Sequence, residues 1–387
     1  MKKWIACLLL LSILLSLSAC GGTAEETEPT AEPTAEPTAE TAEESAGEES
    51  GADPLLPVKA AANAYPDDAV VMTLDGQEIL WDTYYYVLSN YVSNIVYQVG
   101  YLPESFDVDV GGMTMDEYIR KVAEGYLCQC VATLEHSEGL VEEEAIARRM
   151  DEEWEHSCAA NGGEEAMLSL LAEDGLTRRA YDYFARAFCT FEALENALYG
   201  EGGNDLTLEQ IDEWTAEQGL VRCKHILLLT NGEDMTDEDK AAAKATMEAY
   251  LEDLRAVADD PERLHKLFDE LMQEYSEDTG LVMYPDGYVF GKGEMVQEFE
   301  DAAFALEPYG LSDLVETSYG YHILLRLPME KGIVADMNQS TYQPIELQQM
   351  VADELYQKTL AAWREEVSVE MSEDFAGFTI QKLFYEQ

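Results

Sequence analysis

The sequence predicts an α+β protein in which a strand-bearing segment interrupts a mostly helical chain. Three observations predict it. Two apolar strands, residues 221–229 and 317–327, each carry a single histidine in the context His-Ile-Leu, at His225 and His322. Helical periodicity dominates residues 81–218 and returns over 344–367. The chain after residue 330 is too short to make its own core and is expected to return to the first helical part. With 387 residues, two or three domains are expected. The 47% hydrophobic content, with 22 Tyr, 11 Phe and 5 Trp, supplies core material and excludes global disorder.

Charge excludes further classes. Asp and Glu number 79 against 23 Lys and Arg, a net charge of −56. That balance repels phosphate backbones, so no nucleic-acid partner is expected. An anionic membrane would repel the chain too, unless something covalent holds it there.

The first element supplies that tether. Met1-Lys2-Lys3 is cationic and precedes an apolar run from Trp4 to Leu17. This run is shorter than the about 20 residues of a spanning helix and suits a secretory signal over residues 1–19. Leu17-Ser18-Ala19-Cys20 followed by Gly21-Gly22 resembles the bacterial lipobox. The resemblance implies cleavage before Cys20, lipid attachment at its sulfur and a place on the extracytoplasmic face of a bacterial cell membrane. The plainer alternative is an ordinary signal peptide with Cys20 a bystander. Acyl chains at about 0.8 kcal/mol per buried CH₂ would overwhelm surface repulsion.

Residues 20–65 read as an acidic, Pro/Thr/Glu-rich disordered tether. The unit Glu28-Pro29-Thr30-Ala31 recurs from Glu32 and from Glu36, and Gly21 to Asp53 holds eleven acids and no base. Self-repulsion and proline spacing keep such a stretch extended, with a full reach on the order of 100 Å. Residues 66–218 then form a helical, chaperone-like domain. Val70–Leu74, Asp75-Gly76 and Gln77–Leu80 predict a strand, turn and return. Thr114 with Glu117, and Thr207 with Gln210, have capping-box form and mark two helix starts. Tyr84, Tyr85, Tyr86, Tyr91, Tyr97 and Tyr101 line the first long helix. They read either as a core stripe or as a sticky groove for unfolded chains.

Residues 219–328 are the segment with chemistry. After the first strand, one acidic amphipathic helix is expected from Thr236 to about Met272, then a loop over 275–280. The acidic run 233–239 lacks the full calcium-loop pattern and reads as a solvated helix N-terminus. Gly291 to Met295 leads into a short helix whose Val296, Phe299, Ala303 and Leu306 keep the helical period, with Pro308 and Gly310 stopping it. If the two strands are adjacent, His225 and His322 can hydrogen-bond, each tautomer fixed by the next partner. Residues 329–387 are expected to return to the helical domain, with Pro344 in the first turn of a helix to about Val367 and a β-like Val367–Val369 at its end.

Beyond Cys7 and Cys20, five cysteines remain: Cys128, Cys130, Cys158, Cys189 and Cys223. An odd count without ligand spacing predicts neither a disulfide framework nor a metal site, and none looks catalytic.

Four ordered segments resemble the parvulin peptidyl-prolyl isomerases. They are Lys224-His225-Ile226-Leu227, Tyr275-Ser276-Glu277-Asp278, residues 293–306 (Gly-Glu-Met-Val-Gln-Glu-Phe and onward), and Thr317 to His322. With the lipoprotein signal and flanking helices, the layout is similar to the PrsA-type foldase lipoproteins. The resemblance implies a four-stranded antiparallel sheet with surrounding helices, inserted between the parts of the helical domain. It implies catalytic roles for His225, Asp278 and His322, a proline pocket walled by Met295, Phe299 and Phe290, and a Thr317 hydroxyl that orders the histidines. No cofactor or metal is implied, since rotation about an amide breaks no bond. The partners implied are unfolded or partly folded exported polypeptides with Xaa-Pro bonds, and the oligomeric state stays open, a dimer included.

Two departures stand out. The family's Gly-Gly-Asp-Leu-Gly turn reads Tyr284-Pro285-Asp286-Gly287-Tyr288-Val289-Phe290, so the Leu that caps the proline pocket is missing. That leaves a membrane-anchored chaperone with a weak or inactive isomerase domain as the alternative function. The basic cluster of phosphate-directed parvulins is replaced by the acidic run 233–239, which rejects phosphoserine-proline substrates.

Overall fold

A computed structural model describes residues 53–385. The expected signal, Cys20 and the tether up to residue 52 lie outside the described residues. The chain divides into two compact units, Met1–Leu194 with Thr359–Gln387 and Glu195–Lys358. Among the described residues, no helix is long and apolar enough to cross a membrane.

The first unit begins earlier than composition suggests. Helix α1, Leu56–Ala61, takes Pro57 in its first turn and buries Val58 and Ala61, with Leu55 buried just before it. The expected tether boundary at residue 65 is therefore corrected. The apolar Leu55-Leu56-Pro57-Val58 step belongs to the core, and reading it together with the acidic repeat hid it. Strands β1 (Val70–Leu74) and β2 (Gln77–Leu80) pair antiparallel. Asp75 and Gly76 between them both have positive φ, 46° and 83°, as a two-residue hairpin turn of the favoured hand requires.

Five helices follow: α2 (Trp81–Val99), α3 (Met115–His136), α4 (Glu143–Asn161), α5 (Glu164–Glu173) and α6 (Arg178–Tyr199). Thr114 and Glu117 form the full capping box of α3. The core packs Trp81, Tyr84, Tyr85 and Leu88 of α2 with Ile119, Leu127 and Val131 of α3 and Phe184 of α6. The first tyrosines of the stripe are thus core, whereas Tyr97 and Tyr101 are 57% and 60% exposed.

The second unit begins at Glu195, within α6, and not at residue 219, so α7 (Leu208–Glu217), capped by the Thr207–Gln210 box, belongs to it together with β3 (Val221–Leu229). Next come α8 (Asp237–Arg255), α9 (Pro261–Tyr275), β4 (Tyr288–Phe290), α10 (Gln297–Ala305), β5 (Val315–Glu316) and β6 (Gly320–Leu327). The single helix expected to Met272 is two. The chain breaks after Arg255, and α9 restarts with Asp260 as cap and Pro261 in the first turn. Proline has no amide hydrogen to continue a ladder, so it marks a start here.

The strands form one antiparallel sheet in the order β4-β3-β6-β5. Helices α8 and α9 cover one face, where Met247, Leu251, Leu254, Leu264 and Phe268 pack on Ile226, Ile323 and Leu325. Helix α10 covers the other, with Phe299 and Ala303 against Val221, Cys223, Phe290 and Leu324. Burial on both faces explains why β3 and β6 read as continuous apolar runs.

A two-stranded ribbon, β7 (Val334–Met337) and β8 (Pro344–Glu346), precedes helix α11 (Leu347–Glu366). Pro344 thus sits in a strand, a correction to its expected place in a helix. Only one β8 edge is paired, which leaves room for a residue without an amide hydrogen. Strand β9 (Val369–Met371) and helix α12 (Ile380–Tyr385) end the described chain. Strand β9 pairs antiparallel with β1, and Asp75 accepts from the Ser368 amide and hydroxyl at 2.9 and 2.6 Å. Residues 359–387 belong to the first unit and 329–358 to the second, so the divide falls within α11 instead of at residue 329. All five cysteines of the described residues are free and buried.

Candidate active site

The register of β3 and β6 builds the site. His225 pairs with Leu324 and Leu227 with His322, so the two histidines are diagonal neighbours on the α10 face. Their ring centroids are 5.3 Å apart and nearly perpendicular. Each uses Nε2 for a partner away from the other. His225 Nε2 meets Asp278 Oδ2 at 2.9 Å, and His322 Nε2 meets the Thr317 hydroxyl at 2.9 Å. Both Nδ1 atoms are buried without a partner among the described residues, so the direct histidine–histidine bond expected from adjacency does not form.

The loop carrying Asp278 is stitched to β3. The Leu227 amide donates to the Ser276 hydroxyl at 3.1 Å, the Glu277 amide to the Leu227 carbonyl at 2.8 Å, and the Leu229 amide to Glu277 Oε2 at 2.7 Å. These bonds explain the Tyr-Ser-Glu-Asp run as a fastening with the carboxylate at its end. Asp278 then caps a 3-10 turn, Thr279–Val282, its Oδ1 taking the Gly280 amide at 2.9 Å.

The apolar wall lies beside this chain of bonds. The Phe299 ring sits 5.2 Å from His225, 5.5 Å from His322 and 5.7 Å from Phe290, each centroid to centroid. Met295 is half-buried against the same cluster. The buried carboxylate of Glu300 accepts from the Gly293 and Met295 amides at 2.7 and 2.9 Å, which shapes the turn before α10. All seven expected residues are therefore gathered on one face of one sheet.

Electrostatics separate the polar groups. Burial opposes ionisation of Asp278, but hydrogen bonds from His225, Tyr288 and the Gly280 amide outweigh it and hold the carboxyl at about 2. Burial, helped by the charge of His225, pushes His322 down to about 4. At neutral pH the site thus holds a carboxylate and a neutral His322. Cys223, two residues from His225 on the same face, is fully buried, and burial pushes its thiol up to about 12. It offers no nucleophile.

Three participants lie in segments the sequence singles out, but their roles are not legible there. Ser276 and Glu300 act through backbone amides, which no residue pattern discloses. Tyr288, in the turn that lacks the family's Leu, donates its hydroxyl to Asp278 Oδ2 at 2.7 Å.

A four-stranded antiparallel sheet with two facing histidines, a linked carboxylate and an aromatic wall defines a rotamase-type domain. Residues 225–327 match the family model of the PPIC-type peptidyl-prolyl isomerase domain. The chain is 30% identical over 116 residues to the peptidyl-prolyl cis-trans isomerase Pin1 of Arabidopsis thaliana, covering 98% of that protein and 29% of this chain. The chain belongs to this parvulin family. It is also 34% identical over 149 residues to the foldase protein PrsA of Halalkalibacterium halodurans, a match that covers 35% of this chain and 44% of that one. The matched region thus spans less than half the length of that foldase. The crystal structure of PrsA from Bacillus cereus is similar over 73% of this chain and 99% of that one, at 19% identity and a TM-score of 0.26.

Proposed function

We propose that the chain is an extracytoplasmic peptidyl-prolyl cis-trans isomerase and foldase that assists exported proteins, held at the membrane by lipid on Cys20. The observation that carries the activity is the hydrogen-bonded set Asp278–His225 and His322–Thr317 beside Phe299. An Xaa-Pro amide must cross a barrier of about 18–20 kcal/mol by rotation, without breaking a bond. Phe290, Met295 and Phe299 grip the proline ring. The polar set presents a fixed field that favours the twisted amide over the planar one, with no reorganisation at the moment of rotation. A carboxylate at Asp278 and a buried Cys223 whose thiol is pushed up to about 12 support the electrostatic route over a covalent one. The helical unit would hold non-native chain, and the acidic tether would lift both off the bilayer.

The test is isomerisation of short Xaa-Pro peptides by the purified chain beside His225→Ala and Asp278→Ala. Acceleration that falls at least about tenfold in both variants supports the reading. A folded wild type without acceleration overturns it and leaves client binding as the function. For the anchor, metabolic labelling with a fatty acid should mark the wild type and not Cys20→Ser.

A further inference from the structure

We infer that Tyr288 is a positioning residue of the isomerase site, holding Asp278 in the orientation in which it holds His225. The inference rests on the isomerase reading above and adds a residue to that site.

Position comes first. Tyr288 opens β4 and pairs with Cys223, so it lies on the same face as Cys223 and His225. Its ring is 5.0 Å from that of Tyr284 and 5.7 Å from that of His225. Its hydroxyl donates to Asp278 Oδ2, the same oxygen that meets His225 Nε2. With the Gly280 amide on Oδ1, both carboxylate oxygens are occupied and the carboxylate plane is fixed. Loss of the tyrosine hydroxyl leaves Oδ2 with His225 alone, and the carboxylate gains freedom about its last torsion.

A second position is adjusted to the first. A Cβ at Gly280 would fall 2.0 Å from the Tyr288 hydroxyl oxygen. Gly280 is not in the left-handed region, so backbone conformation does not demand glycine there. Space for the hydroxyl does. Gly287 supports the same end from the other side: its φ is +93°, and a Cβ there would meet the Cys223 carbonyl oxygen at 2.7 Å. The turn that lacks the family's Leu is thus built to bring in a tyrosine hydroxyl.

The test compares the whole chain with Tyr288→Phe, which keeps the ring and its stacking and removes only the hydroxyl. Two readouts are taken: kcat and KM for an Xaa-Pro peptide, and the carboxyl titration of Asp278 by carbon-detected NMR. The expected result is a fall in kcat of about tenfold with little change in KM, from one lost hydrogen bond to a charged group. The Asp278 midpoint should rise by about one pH unit. Gly280→Ala, which crowds the hydroxyl without removing it, should move both readouts the same way. Tyr284→Phe removes a neighbouring hydroxyl and should move neither. An unchanged Asp278 midpoint and kcat in Tyr288→Phe would overturn the inference, and so would equal effects from Tyr284→Phe. A wild type without isomerase activity would fail the functional reading instead, and the titration would still show whether Tyr288 holds Asp278.

Discussion

His322 should make the sheet of the second unit acid-sensitive in a window set by one buried ring. The residue is 3% exposed, its Nε2 is committed to Thr317, and its Nδ1 has no partner among the described residues. Burial disfavours the charged ring, and the neighbouring His225 adds to this, so its pKa falls from 6.5 to about 4. A pKa depressed in the folded state means that the unfolded chain takes up the proton first. The contribution of His322 to stability is therefore full above about pH 6.5 and is lost as pH falls toward about 4. At about 1.36 kcal/mol per pH unit, the loss is about 3 kcal/mol. The perturbation is His322→Gln, which keeps a hydrogen-bonding group for Thr317 and cannot titrate. Hydrogen exchange of the β3 and β6 amides, followed across that window in both proteins, reports opening of this sheet. Acid also relieves self-repulsion in a chain of net charge −56, but it does so equally in both and cancels in the difference. Wild-type stability should fall relative to the variant by about 3 kcal/mol across the window. A difference that stays flat, or a His322 ring that titrates near 6.5, would refute the argument.

Other outcomes follow from the same structure. Asp269→Ala leaves the Lys224 ammonium, 4% exposed and 2.8 Å from Asp269, with His265 as its one remaining polar partner among the described residues, and should cost about 3 kcal/mol in urea unfolding of the second unit. Burial raises the thiols of Cys128 and Cys189 to about 11 and of Cys130 and Cys223 to about 12, so a disulfide reagent at mildly alkaline pH should label the folded chain slowly and the urea-unfolded chain fast. Removal of residues 367–387 takes away β9 and exposes the edge of β1, with the buried Phe375, Ile380 and Leu383 lost from the core. Proteolysis of the first unit should then accelerate, while exchange in the β3–β6 ladder should not change.

Features that depend on a few consecutive residues are legible in the sequence itself. The Asp75-Gly76 turn, the capping boxes at Thr114 and Thr207 and the two buried strands are such features, because backbone preference and side-chain period act within one element. The shared His-Ile-Leu context of His225 and His322 suggests that they face each other only if their strands are neighbours, and the register that makes them diagonal is set by the fold. Pro261 is legible too, but an amphipathic pattern that continues past it outweighs it. Pairing of β9 with β1 cannot be read, because three residues of ordinary strand propensity carry no mark of a partner nearly the whole chain away. Nor can the bonds of Ser276 and Glu300, whose partners are backbone amides placed by the fold.

The two faces of β3 show how sequence order becomes site chemistry. Cys223, His225 and Leu227 alternate with Arg222, Lys224 and Ile226 along the strand. Lys224 on the reverse face is tied to Asp269 and His265 of α9, and the buried Arg222 donates to the carbonyls of Asp286 and Pro328 and pairs with Glu330. A slip of one residue would exchange the faces. It would bring Lys224 to the α10 face and leave His225 among the apolar side chains of α8 and α9, with both cations stripped of their partners. Each buried charge left unpaired costs about 3–5 kcal/mol, enough to consume most of a domain's stability. The two paired cations on the reverse face thus disfavour the slip that would carry His225 away from Asp278, 2.9 Å from it in the observed register.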